Sequence, residues 1–232
     1  MSARLLQFLY RTINRLTPCD VTHVLLLDLK ASQIMEPDPT LSIRKLSESE
    51  VATLARDKEQ NQISESIATD MKTQQIDFYA AYRNSDELAG YLLAGQGDIP
   101  AYHNSGGTPL HGIGLSLPQN VSYIFKCFVL PNMRGEGVLT HLLEAVKAEL
   151  VAGGTTHLIT TTDWTNTPAL RSFERAGFER CGLAGEWVPL GMLLRLPSPV
   201  AIGEGPHLFR LPKARRLSDG RQIEFSRGIK AS

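Results

Sequence analysis

Arg134, Gly135 and Gly137 stand together in VLPNMRGEGVLTHLLEAVKAEL, the stretch from Val129 to Leu150. It reads as the end of a strand, a short glycine-bearing loop and a long helix. A helix N-terminus carries unpaired backbone N–H groups and the positive end of the helix dipole. Glycines let backbone approach a ligand with no Cβ in the way. An arginine at the entrance adds charge. These residue types at this spacing can cradle a phosphate or pyrophosphate. They can equally form a plain strand-to-helix connection. The chain contains no G-x-x-x-x-G-K-[ST] and no G-x-G-x-x-G, which sets aside the common nucleotide loops.

A second stretch, NTPALRSFERAGFERCG, runs from Asn166 to Gly182. It follows a strand, crosses a short helix and reaches Gly177-Phe178. Other residues capable of chemistry are scattered. His103 and His111 lie in a long polar loop, and His141 lies inside the helix after Gly137. Each reads as an ordinary loop or helix-face histidine. Cys127 reads as a small buried strand residue rather than a nucleophile. Tyr123 reads as structural, with contact at the site as the alternative, and Trp164 either borders the acceptor site or packs. No general base is visible, since VSYIFKCFVL holds neither Glu nor Asp.

The elements that must position these residues follow from patterning. THVLLLDL, from Thr22, is a short apolar strand. EPDPT at 36–40 breaks the chain. LSIRKL is a strand, and Ser47 with Glu50 has the spacing of a capping box. A second helical stretch spans about 61–74. DFYAAYR and ELAGYLLAG flank the turn NSD as a hairpin. A long loop covers 96–119. The strand VSYIFKCFVL, a helix from Gly135 to Val151, the strand THLITTT, a helix from Pro168 to Ala176 and a β pair within 178–196 complete the pattern. The hairpin argues for a mixed sheet flanked by helices, an α/β (α+β) fold.

Three segments result: an N-terminal helix-strand extension, 1–40, packed on the core; a main domain, 41–196; and a loosely structured tail, 197–232. The tail has seven Lys and Arg against three acidic residues, leaving a basic arm as an alternative. Leu5, Leu9, Ile13 and Leu16 give the first segment a helical stripe. That helix docks on the domain or, in the alternative, contacts a membrane surface. Its apolar run is too short to span a bilayer. The strand from Thr22 is expected to add to the sheet edge or to pair across a homodimer. Formal net charge is zero, so bulk charge gives no argument for nucleic acid, and no nucleic-acid partner is expected. Cys19, Cys127 and Cys181 have neither metal nor disulfide spacing, so no metal is expected and the cytoplasm is the simplest compartment.

With both motifs in register, residues 41–196 resemble the GNAT superfamily of acyl-CoA-dependent N-acyltransferases. Val129, Pro131, Arg134 and Gly137 match its strand-loop-helix motif, and Leu139 stands at the last position. Asn166, Ala169, Phe173, Gly177 and Phe178 match its downstream motif. The resemblance implies a mostly antiparallel sheet that splays at its fourth strand, often at a bulge. It implies acetyl-CoA as co-substrate and an amine of unknown identity as acceptor. Cys127, Phe128 and Val129 would line the pantetheine and acetyl group. Arg134, Gly135, Glu136, Gly137, Val138 and Leu139 would hold the pyrophosphate, mainly by backbone N–H. Asn166 would bond the pantetheine arm. Two positions depart from the pattern. Leu139 replaces a Gly or Ala. Phe173 replaces the Tyr usually credited with protonating the departing thiolate, and Phe donates no proton. A thiol leaves with little help, so N-acetyl transfer by direct attack is the reading. The alternative is a non-catalytic module that binds acyl-CoA or a partner.

Overall fold

The computed structural model describes residues 9, 12, 19–32, 39–56, 63–73, 76–84, 87–99, 115–187, 194–196, 199–201, 208–210, 215–216 and 223–224. Strands are β1 (Cys19–Asp28), β2 (Leu41–Leu46), β3 (Ile76–Arg83), β4 (Glu87–Gly95), β5 (Asp98–Ile99) and β6 (Leu115–Ser116). They continue with β7 (Val121–Val129), β8 (His157–Asp163), β9 (Glu179–Trp187) and β10 (Leu194–Leu196). Helices are α1 (Glu48–Leu54), α2 (Glu65–Thr73), α3 (Val138–Ala152) and α4 (Thr167–Arg175).

One eight-stranded sheet runs β10-β9-β1-β8-β7-β4-β3-β2. Its pairings are antiparallel except β7 with β8. A parallel pair needs a crossover, and α3 supplies it. The predicted mixed, mostly antiparallel sheet is therefore present. β1 lies inside the sheet, antiparallel to β8 on one side and β9 on the other. This corrects the expectation of an edge or dimer strand. With both edges paired and both faces covered, an almost unbroken apolar run is what its environment selects.

Two apolar layers cover the sheet. Val51 of α1 and Ile67 of α2 pack with Phe78, Tyr91, Leu93, Tyr123 and Phe125 on one face. Leu142, Leu143 and Val146 of α3 pack with Leu170 and Phe173 of α4 over Leu25, Leu92, Ile124 and Leu158 on the other. The capping box forms: Ser47 accepts from Glu50 N, and Glu50 accepts from Ser47 N. The Arg44 side chain bonds the same carboxylate and, with Ser47, holds its pKa down at about 2.

In the first segment Leu9 and Thr12 are described, both helical and exposed. Leu5, Ile13 and Leu16 lie outside the described residues, as do His103 and His111. Within the tail the described residues form two short antiparallel pairs, 199–201 with 208–210 and 215–216 with 223–224. No helix among the described residues is long and apolar enough to cross a membrane.

A buried ion pair ties α3 to α4. Lys147 Nζ donates to Glu144 Oε1 at 2.7 Å and to the Ala176 carbonyl at the end of α4 at 2.9 Å. Lys147 is 1% exposed and Glu144 3%. Removing one partner leaves a buried charge uncompensated, so Lys147→Ala is expected to cost about 3–5 kcal/mol. The double change Lys147→Met with Glu144→Leu should recover most of that loss. Urea unfolding of the three proteins measures both effects.

Candidate active site

Strands β7 and β8 pair only from Val121↔His157 to Ile124↔Thr160. Beyond that point they part, although β7 continues to Val129 and β8 to Asp163. The parting coincides with a bulge. Leu93 faces Phe125 and Tyr91 faces Phe128, so Lys126 and Cys127 together oppose Leu92. Lys126 has φ +49, a left-handed value uncommon outside glycine. An extra residue of this kind bends and twists its strand, and here it turns β7 away from β8.

The far end of β7 keeps its partner on β4, where Leu130 N donates to the Ala89 carbonyl. Strand alternation then directs the backbone polar groups of Phe128 to β4 and those of Cys127 and Val129 to the open edge. Phe128 contributes its ring, 5.5 Å from that of Tyr91 on the α1–α2 face. Cys127 and Val129 pack toward α3 and α4. An open strand edge is a template for an extended ligand with its own amides.

The loop after β7 supplies the second half of the site. Pro131–Met133 form a 3-10 turn. Gly135 follows with φ +88 and Gly137 with φ +79. These values end the loop on the N-cap Gly137, so α3 begins at Val138 rather than at Gly135. Gly137 offers no side-chain cap, and the first turn of α3 holds no acid. Gly137 O there accepts from His141 N at 3.1 Å. The first N–H groups of a 15-residue helix thus face outward from a glycine loop. That is the chemistry of an anion site. A Cβ at Gly137 would sit 3.5 Å from the His141 ring.

The remaining predicted residues take distinct places. Arg134 is exposed, and its Nε donates to the Val129 carbonyl at 3.3 Å. Glu136 pairs with Arg83 at the end of β3, which offsets the acid beside the cradle. Val138 is buried, so only its backbone is available there. Leu139 turns toward the α3–α4 core. Its bulk therefore lies off the mouth of the loop. Asn166 is exposed and caps α4, with Oδ1 accepting from Ala169 N at 3.3 Å. Phe173 is 4% exposed, edge-on to Phe178 with centroids 5.4 Å apart.

Burial pushes the Cys127 thiol up to about 12. Cys127 is nonetheless only partly buried, so iodoacetamide should label it, but more slowly than a free cysteine, by peptide mass spectrometry. Tyr123 is structural, its hydroxyl sharing a hydrogen bond with Thr161. Sequence reasoning passed over Lys126 and Arg83. Lys126 had a signal, as the lone charge in an apolar strand. Arg83 had none, since its pairing with Glu136 spans 53 residues.

A strand edge opened at a bulge, beside an uncapped helix N-terminus on the same crossover, has the chemistry to hold a long phosphate-bearing ligand with amide groups. The family model for GNAT acetyltransferases matches residues 43–178, and the chain belongs to that family. A GCN5-related N-acetyltransferase from Sphaerobacter thermophilus has the same fold: TM-score 0.52, 16% identity, 82% of this chain and 58% of that one. A Drosophila protein aligns at TM-score 0.49 and 12% identity over 79% of this chain and 55% of its own. An aminoglycoside 6'-N-acetyltransferase from Acinetobacter baumannii aligns at TM-score 0.43 and 20% identity, over 60% and 91%. The chain spans less than two thirds of the Sphaerobacter and Drosophila proteins. No curated protein matches the sequence.

Proposed function

We propose that the chain is an N-acyltransferase that moves an acetyl group from acetyl-CoA to a primary amine by direct attack. The observation that carries this reading is the parted β7–β8 edge next to the uncapped N-terminus of α3. The residues present fit the co-substrate. N–H groups from Gly137 to Leu139 suit the pyrophosphate, and the glycines admit it. The open-edge backbone groups of Cys127 and the Val129 N–H suit the pantetheine amides, the Val129 carbonyl being taken by Arg134, and the Asn166 amide stands at the other wall. Acetyl-CoA supplies an acyl group activated as a thioester.

The chain's own contribution is alignment and polarisation. A backbone N–H on the open edge of β7 stabilises oxyanion charge as it develops. Holding the amine in line supplies much of the acceleration. Phe173 gives no proton, and an ordinary thiol pKa of about 8.5 lets the leaving group depart unaided. Free Cys127 and Cys181 suit a reducing compartment such as the cytoplasm.

The experiment is to follow thiol release from acetyl-CoA with a panel of primary amines. Amine-dependent release supports the enzyme. Phe173 also motivates a second reading, a module that binds acyl-CoA without turnover. Tight acetyl-CoA binding with no release for any amine would favour that module.

A further inference from the structure

Lys126 is the one charged residue of β7, in a strand otherwise made of Val, Ser, Tyr, Ile, Phe and Cys. Neither the cofactor cradle nor the sheet uses its charge. It is held at φ +49 within the bulge, a conformation that costs energy and persists where surrounding structure enforces it. It lies just past Ile124↔Thr160, where β7 and β8 part, and directly before Cys127 on the open edge. Burial lowers its pKa, and the charge of Asp70 opposes that shift. Asp70 is on α2 and is itself 8% exposed. The α2 helix covers the sheet face opposite α3 and α4.

The two faces have different work. Val138, directly after the glycine loop, packs on the α3–α4 face. A ligand anchored there reaches the gap from that side. That leaves the α1–α2 side for the acceptor, the side from which the charge of Asp70 on α2 acts on Lys126. A half-buried cation with an acid in electrostatic reach is complementary to a reactant carrying both an amine and a carboxylate. A bound carboxylate would also offset the desolvation of the ammonium.

We propose that Lys126 binds a carboxylate on the acceptor, so that the chain acts on amines bearing an anionic group near the nucleophilic nitrogen, the chemistry of an amino acid. Asp70 favours the acceptor's ammonium as it enters. This inference rests on the acyltransferase reading above and deepens it by naming the acceptor class. No atom of Lys126 enters the bond changes; its role is to position and select.

The test uses the full chain, with acetyl-CoA and glycine, β-alanine, 4-aminobutyrate, the amide of each, and n-propylamine. The expected result is a preference in kcat/KM of about 10- to 100-fold for at least one carboxylate over its amide, the size of one hydrogen bond to a charged group. Lys126→Met should reduce that preference to within about threefold, read as the ratio of kcat/KM for acid over amide so that a general loss of rate cancels, and Lys126→Arg should keep part of it. Propionate should inhibit competitively with the amine in the unaltered protein, which keeps the test open if the Met variant unfolds. Equal rates for acids and amides, no turnover of any carboxylate amine, no inhibition by propionate, or a Lys126-dependent preference for succinyl-CoA over acetyl-CoA would each overturn the assignment. Calorimetry with CoA on the same preparations separates the two levels. CoA binding without acid selectivity sinks the acceptor class alone, whereas no CoA binding sinks the acyltransferase reading with it.

Discussion

A chain beginning at Leu41 is expected to lose its stable native state. Strand β1 fills the slot between β8 and β9, so its removal unpairs an edge on each. Val24, Leu25, Leu27 and Leu29 go with it, none more than 6% exposed. Each such side chain contributes roughly 1.5–3 kcal/mol by burial, and the four together roughly 6–12 kcal/mol. That is comparable to the whole stability of an ordinary domain, about 5–15 kcal/mol. The exposed edges would also invite pairing between chains. Size-exclusion chromatography and thermal melting should find the shortened chain aggregated or unfolded. A soluble monomer with an unchanged melting temperature would mean that the slot can close without β1. Leu25→Ala, at a position 0% exposed, is the milder form and should cost about 2–5 kcal/mol.

The second large effect is at the cradle. Gly137→Val should weaken CoA binding by more than about a hundredfold, because two hydrogen bonds to phosphate, at about 1.5–3 kcal/mol each, would be displaced. Arg134→Ala should weaken it less than about tenfold, since the guanidinium is exposed and its charge is screened. The left-handed φ of +79 at Gly137 adds strain that a β-branched residue tolerates poorly. Gly154, with φ +87 and nothing within 4 Å of an added Cβ, lies at the opposite end of α3 and serves as the control. Gly154→Val carries comparable strain but should bind CoA normally. Circular dichroism first establishes that each variant is folded, and calorimetry at matched salt then gives the dissociation constants. A folded Gly137→Val that binds CoA as tightly as Gly154→Val would reduce the glycine loop to a connector.

The local features were legible because they rest on neighbouring residues. Ser47 and Glu50 announce their capping box, the turn after Arg83 its hairpin, and Asn166 the start of α4. The β7–α3–β8 crossover follows from one apolar strand, a glycine loop and a second strand. Three features needed the folded chain. The interior position of β1 depends on strand order, which no local pattern encodes. The start of α3 at Val138 depends on positive φ at Gly135 and Gly137, and the sequence permits that conformation without requiring it. The bulge depends on Lys126 adopting a backbone state that its residue type disfavours. Such a violation of local preference is expected where function constrains the chain. Phe173 illustrates the reverse case: its identity raised the question of a missing acid, and its burial against Phe178 gives the side chain a packing role.

Hydrogen–deuterium exchange of the full chain with and without saturating CoA locates the ligand directly. Binding at the parted edge and the α3 N-terminus should slow exchange at the amides of Cys127 and Val129 and from Gly137 to Thr140. Amides deep in the β3–β4 hairpin should change little. CoA binding that leaves 127–129 and 137–140 unprotected, or no binding at millimolar CoA, would contradict the placement of the co-substrate in the gap between β7 and β8.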